Sequence, residues 1–294
     1  MFTGLSAFPL TPFRGEKIDE KAFGGIIRRL AQAQVDSIGV LGSTGSYMYL
    51  DREERRRAVE LASAHAGSTP VIAGIGALRT RDVLALAEDA QAAGASGVLL
   101  APVSYQPLTE DETFSLYEQV SRELSVPLCV YDNPRTTKFT FTDELHGRIA
   151  ALPNVGSIKI PGVPDDPAKA RQRIQRLRSQ IPGHVTIGVS GDRFAAAGIN
   201  AGCDGWYSVL GGLFPRTCRE IVQAASSGRY PEAAALSDRL EPLWSLFDRF
   251  GSLRPAAAIA IQLGLMEGPG LPLPLAPLPP SELKEIADLL DSLE

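Results

Sequence analysis

Of the lysines at positions 17, 21, 138, 159, 169 and 284, only Lys159 lies inside an apolar run, Ser157-Ile158-Lys159-Ile160-Pro161-Gly162. Lysine is rarely fully buried without a partner, so a lysine in such a run needs a reason. Burial disfavours an ammonium ion, and a neutral amine is a nucleophile toward carbonyl carbon. The alternative is a lysine whose stem packs in a strand while its head pairs with a carboxylate, a structural ion pair. Two hydroxyls and flexible backbone meet in Gly42-Ser43-Thr44-Gly45. Such a turn cradles a carboxylate or phosphate, or merely satisfies its own backbone. Tyr131, ahead of Asp132-Asn133-Pro134-Arg135, offers a phenol as proton carrier or a packed core ring.

Other chemistries find little support. His65, His146 and His184 are scattered, and no His/Cys/Asp cluster has metal-ligand spacing. Gly74-Ile75-Gly76-Ala77-Leu78-Arg79 begins like a dinucleotide fingerprint but lacks its third glycine. There is no P-loop and no nucleophile-elbow serine. The run from Arg52 to Arg57 is interleaved with Glu53 and Glu54 and reads as a solvated helix face. Lysine chemistry without metal or nucleotide cofactor is what survives.

The elements that must hold these residues follow from periodicity. Short apolar runs at residues 4–9, 37–41, 70–75, 97–101, 127–131, 155–160, 185–189 and 205–209 are bounded by Gly, Pro or Ser. Between and after them, helical spacing runs over residues 19–34, 51–66, 80–93, 109–124, 142–151, 167–179, 192–201 and 215–227. Asp19, Thr109 with Glu112, and Thr142 supply cap chemistry at three of these starts. Runs apolar throughout imply strands buried on both faces, and strand–helix alternation repeated about eight times predicts a (β/α)8 barrel. In such barrels reactive residues sit at the C-terminal strand ends, which selects Gly42 to Gly45, the loop 102–107, Tyr131 to Arg135, Lys159 and Ser190-Gly191-Asp192. Further helices are expected over 231–250, 254–265 and from Ser281, with the proline-rich stretch 268–274 as an extended connector packed on the domain. The division expected is a catalytic barrel over 1–228 and a helical extension over 229–294.

With 294 residues, 44% hydrophobic and 21% charged, the chain has the composition of a globular protein. A formal charge of -5 gives no electrostatic footprint for nucleic acid or an anionic membrane. No stretch approaches the roughly 18 apolar residues of a membrane span. Cys129, Cys203 and Cys218 are odd in number and widely spaced, and no signal peptide is evident, so a reducing cytoplasm is the expected location.

Taken together and in order, Gly42-Ser43-Thr44-Gly45, Tyr131-Asp132-Asn133-Pro134, Ile158-Lys159 and Ser190-Gly191-Asp192 resemble the dihydrodipicolinate synthase and N-acetylneuraminate lyase family of class I aldolases, from Phe2 to about Leu265. The resemblance implies a (β/α)8 barrel with C-terminal helices, assembled as a dimer or tetramer. It implies that Lys159 forms a Schiff base with pyruvate or a related 2-oxo acid, that Ser43 and Thr44 with neighbouring amides hold its carboxylate, and that Tyr131 shuttles protons. Gly45, Ser190, Gly191 and Tyr207 complete the expected substrate-side set.

Three positions depart from the family pattern. The arginine that grips the aldehyde partner's carboxylate falls on Thr136, with Arg135 one place earlier. The fourth-loop tyrosine that crosses the dimer interface falls on Ser104, with Tyr105 one place later. The glutamate after the Gly-Ser/Thr-Thr-Gly turn is Ser46. Pyruvate-side groups match and partner-side groups do not. The expectation is therefore a pyruvate-dependent lyase whose second substrate, an aldehyde where there is one, differs from aspartate semialdehyde. Dihydrodipicolinate synthesis itself, a sugar-acid aldolase or dehydratase, and a non-catalytic binder of 2-oxo acids are the alternatives.

Overall fold

The computed structural model describes residues 1–293. Its centre is a closed barrel of parallel strands: β1 (Gly4–Ala7), β2 (Ser37–Val40), β3 (Val71–Gly74), β4 (Gly97–Leu100), β5 (Leu128–Tyr131), β6 (Val155–Ile160), β7 (Thr186–Ser190) and β8 (Gly205–Ser208). Each pairs with its sequence neighbour, and β1 closes the ring by pairing with β8 through Gly4 and Gly205. The expected (β/α)8 barrel is what forms. Strand ends trim the apolar runs by a residue or two, except at β6, which matches its run, and at β7, which shifts by one residue to include Ser190.

Around the barrel stand α1 (Glu20–Gln32), α2 (Arg52–His65), α3 (Thr80–Ala92), α4 (Glu110–Arg122), α5 (Asp143–Ala150), α6 (Pro167–Arg178), α7 (Ala195–Asn200) and α8 (Pro215–Ser226). Caps fix several starts. Asp19 accepts from the amide of Ala22, Thr142 from that of Leu145, and Thr109 with Glu112 forms a reciprocal capping box. A second such box, Asp51 with Glu54, opens α2. These helices seal an outer core against the strands, while Phe2, Phe8, Ile72, Leu99, Ala101, Cys129, Tyr131 and Tyr207 form a separate cluster inside the barrel.

Two helix expectations are corrected. Residues 192–201 do not form one helix; a 3-10 turn over Asp192–Phe194 precedes α7. The cause is Asp192, whose carboxylate turns inward to accept from Trp206 Nε1 (3.0 Å) and the amides of Val209 (3.2 Å) and Leu210 (2.8 Å), rather than capping its own helix. Burial pushes this carboxyl up to about 6 despite those donors.

Residues 231–250 likewise split into α9 (Tyr230–Asp238) and α10 (Glu241–Phe250). Pro242 has no amide to donate back into the preceding helix, so the chain breaks at Arg239-Leu240 and restarts with Pro242 in the first turn of α10, where no donor is needed. Then come α11 (Leu253–Gln262) and α12 (Pro280–Leu293). The proline-rich connector packs as expected: Leu271 is buried, and the carbonyl of Gly270 accepts from the amide of Phe13 (3.3 Å) in a small hairpin of Phe13–Arg14 and Lys17–Ile18. Among the described residues no helix is long and apolar enough to cross a membrane.

Candidate active site

Register brings the central pair together. On β5 and β6, Tyr131 lies opposite Lys159, and Lys159 lies opposite Gly188 of β7. Residues in register on adjacent strands share a face, so both side chains enter the barrel interior. Lys159 is 5% exposed. Its Nζ stands 3.9 Å from the centroid of the Phe8 ring, 4.1 Å from that of Tyr131 and 5.4 Å from that of Tyr207. No carboxylate within 4.0 Å pairs with it among the described residues, so the structural ion pair that would make this lysine inert is absent.

These residues form the inner end of a cavity of about 600 Å³ at the C-terminal face of the barrel. Ser43 and Thr44 line it from the turn after β2. That turn is strained, because Leu41 (φ 58°) and Ser46 (φ 57°) both occupy left-handed backbone, a conformation that costs a branched or bulky residue about 1–3 kcal/mol. Such strain is sustained where the surroundings over-determine it, and here it belongs to the turn that brings Ser43 and Thr44 to the cavity wall.

The hydroxyls of Ser43 and Tyr131 are 3.5 Å apart, and Asn133 Nδ2 donates to both, at 3.4 Å and 2.9 Å. Asn133 thus fixes where the phenol points. The Thr44 hydroxyl lies 2.9 Å from that of Ser252 in the segment joining α10 and α11. Below the lysine, the Tyr207 hydroxyl shares a 2.6 Å contact with Ser157 Oγ and accepts from Cys129 Sγ at 3.4 Å. Burial pushes the Cys129 thiol up to about 11 and holds the Tyr207 phenol well above its ordinary value. Neither is an anion near neutral pH, so both are neutral neighbours of the lysine end.

Arg135 and Thr136 line the outer part from a short helical turn, Pro134–Thr137, both exposed and with no carboxylate paired to Arg135 among the described residues. Ser190 and Gly191 line it too, the Ser190 hydroxyl donating to the carbonyl of Ile160 (2.9 Å).

Three expected members lie elsewhere. Gly45 does not reach the cavity; its carbonyl is taken by the Thr11 hydroxyl at 2.9 Å, a structural bond behind the turn. Ser104 turns its hydroxyl to the carbonyl of Gln106, and Tyr105 projects outward at 89% exposure. Neither lines the cavity.

Sequence reading missed a whole wall. Trp244, Phe247 and Asp248 from α10, with Arg193 and Phe194 from the turn after β7, close the outer part of the cavity. Arg193 Nη1 pairs with Asp248 Oδ2 at 3.1 Å, joining the barrel to the C-terminal helices. The one available signal was the apolar spacing of Leu243, Trp244, Leu246 and Phe247, which reads equally as core covering. Asn133 stood inside the quoted motif, and Phe8 inside the first apolar run, without being singled out. No group of three or more His, Cys, Asp or Glu able to hold a metal ion occurs among the described residues.

The barrel has counterparts in known proteins. A family model, that of the Dihydrodipicolinate synthetase family, matches residues 1–293. A dihydrodipicolinate synthase structure from Agrobacterium tumefaciens superposes with a TM-score of 0.95 at 45% identity, over 100% of this chain and 98% of that one. The 4-hydroxy-tetrahydrodipicolinate synthase of Phenylobacterium zucineum is 31% identical over 267 residues, 90% of this chain and 88% of the relative. That of Brucella abortus is 32% identical over 248 residues, 83% and 82% of the two. The chain belongs to the dihydrodipicolinate synthetase family, and it is an enzyme of that lyase family.

Proposed function

We propose that the protein is a class I carbon–carbon lyase in which Lys159 forms a Schiff base with pyruvate or a closely related 2-oxo acid. The observation that carries this reading is a buried lysine with no paired carboxylate among the described residues, in register with Tyr131, in a cavity that Ser43 and Thr44 also line. The amine attacks the keto carbon, and the keto oxygen leaves as water. The resulting iminium withdraws electrons from the C3–H bond, giving an enamine that bonds to an acceptor carbonyl or is released by cleavage. The iminium is its own electron sink, so the chemistry asks for no metal and no nucleotide. Ser43 and Thr44 take the donor's carboxylate, and Tyr131, steered by Asn133, carries protons to and from the reacting oxygen.

A cavity of about 600 Å³ is several times the size of pyruvate, which supports a second substrate in the outer part. That substrate differs from aspartate semialdehyde in this reading, because the family's arginine position is Thr136 and the available guanidinium is Arg135. A small aldehyde or 2-oxo acid bearing an anionic group suits it. Ser190, Gly191 and Tyr207 shape the space between donor and acceptor. Dihydrodipicolinate synthesis is the second reading, favoured by the names of the relatives cited above.

The barrel over 1–228 then carries the chemistry, while 229–294 supplies the outer wall. Met48, Tyr49, Leu78 and Tyr105, exposed on loops after β2, β3 and β4, support self-association as a dimer or tetramer. Cytoplasmic location accords with three free, buried thiols.

Intact mass after incubation with pyruvate and borohydride, followed by peptide mapping, tests the reading. A reduced three-carbon adduct on Lys159 is expected. A folded protein that gains no mass with pyruvate or any other 2-oxo acid overturns it.

A further inference from the structure

We propose that Phe8, Tyr131 and Tyr207 together act as the counter-charge of Lys159, an aromatic cage that stabilises its cationic states without placing a negative charge beside the donor. The proposal rests on the reading of Lys159 as the Schiff-base amine and adds what compensates its charge. A buried ammonium needs paired or hydrogen-bonding partners. Among the described residues no side chain or carbonyl hydrogen-bonds Nζ and no acid pairs with it. What surrounds it instead is ring faces, at 3.9, 4.1 and 5.4 Å from Nζ to the centroids. Each such face attracts a cation through its quadrupole, most strongly where water is excluded.

The backbone is built to admit two of these rings. A Cβ on Gly39 of β2 would lie 2.2 Å from Cζ of Phe8, and a Cβ on Gly188 of β7 would lie 2.2 Å from Cε2 of Tyr207. No larger residue fits at either position while the rings stay where they are. Phe8 and Tyr207 then meet edge to face at 5.8 Å, which fixes both.

A carboxylate would satisfy the ammonium as well, but it would repel the carboxylate of a 2-oxo acid entering the same pocket. Rings avoid that conflict. The cage acts on two charged species in turn. The ammonium first gives up one proton, the neutral amine adds to the keto carbon, and that proton and a second from Nζ leave with the keto oxygen as water, so the ammonium's charge becomes the iminium's, in the same place. Loss of the C3 proton then gives a neutral enamine that the rings do not stabilise. The cage therefore sets the balance between iminium and enamine.

Graded fluorination of the Phe8 ring, introduced as mono-, di- and trifluorophenylalanine, weakens the quadrupole with little change of shape. The measurement is deuterium exchange at C3 of pyruvate, divided by the amount of borohydride-trapped adduct on Lys159 in the same sample. The ratio should climb with each fluorine, by about tenfold across the series. Phe8→Leu, which keeps apolar bulk but removes the face, should lie beyond the trifluoro point. A ring that merely packs would give a flat ratio, and a flat series with normal adduct in the unmodified protein overturns the cage alone. No adduct in the unmodified protein overturns both the cage and the Schiff-base reading.

Discussion

The closed end and the open end of the cavity are made by different means. At the closed end, Lys159 and Tyr131 stand on neighbouring strands in fixed register, both less than a tenth exposed, with Phe8 and Tyr207 packed around them. At the open end, Arg135 and Thr136 ride on one short exposed helical turn, and Trp244, Phe247 and Asp248 come from a helix outside the barrel. The ion pair that binds that outer wall to the turn after β7, Arg193 with Asp248, is about half exposed on both sides, and such pairs hold weakly. The inner end cannot change without disturbing the barrel's packing, whereas the outer end can. The difference separates what is done to the donor from which acceptor is admitted.

Substitutions at the two ends should therefore fail differently. The largest loss is expected from Lys159→Ala, which should lower turnover by more than about 10⁴-fold while circular dichroism and melting temperature stay close to those of the parent. Turnover surviving in that variant would put the nucleophile elsewhere and dissolve the contrast. Tyr131→Phe removes only the hydroxyl that Asn133 and Ser43 address. A drop in imine formation of about 10²–10⁴-fold, read by trapping kinetics, is the mark of a proton carrier. A change under twofold would make it a packed ring.

At the open end, Arg135→Ala should raise KM for the second substrate about tenfold and leave KM for pyruvate where it was. If pyruvate's KM moves instead, the donor's carboxylate reaches further out than Ser43 and Thr44, and the two ends are not separate.

The same division explains how much could be read from the chain itself. A strand buried on both faces writes itself as an uninterrupted apolar run, so all eight barrel strands and the odd lysine among them stood out. The turn Gly42 to Gly45 was visible because hydroxyls and glycines at a strand end are chemically conspicuous, although Gly45 proved to brace the turn and not to line the cavity. Trp244 and Phe247 were not visible as site residues, because an apolar helical stripe looks alike whether it covers core or cavity. Tyr105 was expected as the neighbour of the Ser104 slot, which the resemblance assigns to a tyrosine that crosses a dimer interface, and in the single chain it points into solvent. Phe8 needed the facing glycine to be recognised, and that pairing across strands is not local in sequence.

The smallest effect is expected just behind the closed end, on the other face of the same strand terminus. Asp132 follows Tyr131 and points outward, where its Oδ2 lies 3.6 Å from Nε2 of the fully buried His146, itself stacked on Phe141 at 4.8 Å. Burial pushes the Asp132 carboxyl up to about 7 and the His146 imidazole down to about 4, Arg173 pulling both down and Asp143 raising His146. Between about pH 4 and 6.5 the folded pair holds one proton, on the carboxyl, and the unfolded chain also holds one, on the histidine, whose ordinary value is 6.5. Equal proton counts leave stability independent of pH across that window, as far as this pair is concerned.

Asp132→Asn removes the carboxyl's share. Below 6.5 the unfolded variant still protonates His146 and the folded one does not, so stability falls as pH drops, by about 1.4 kcal/mol per pH unit. Melting temperatures at pH 7 and pH 5 should thus separate by about 5 °C more in Asp132→Asn than in the parent. Parallel melting curves for the two proteins would mean that His146 takes up its proton at the same pH whether folded or not. The strand terminus would then be as permissive on its outer face as the cavity is at its open end.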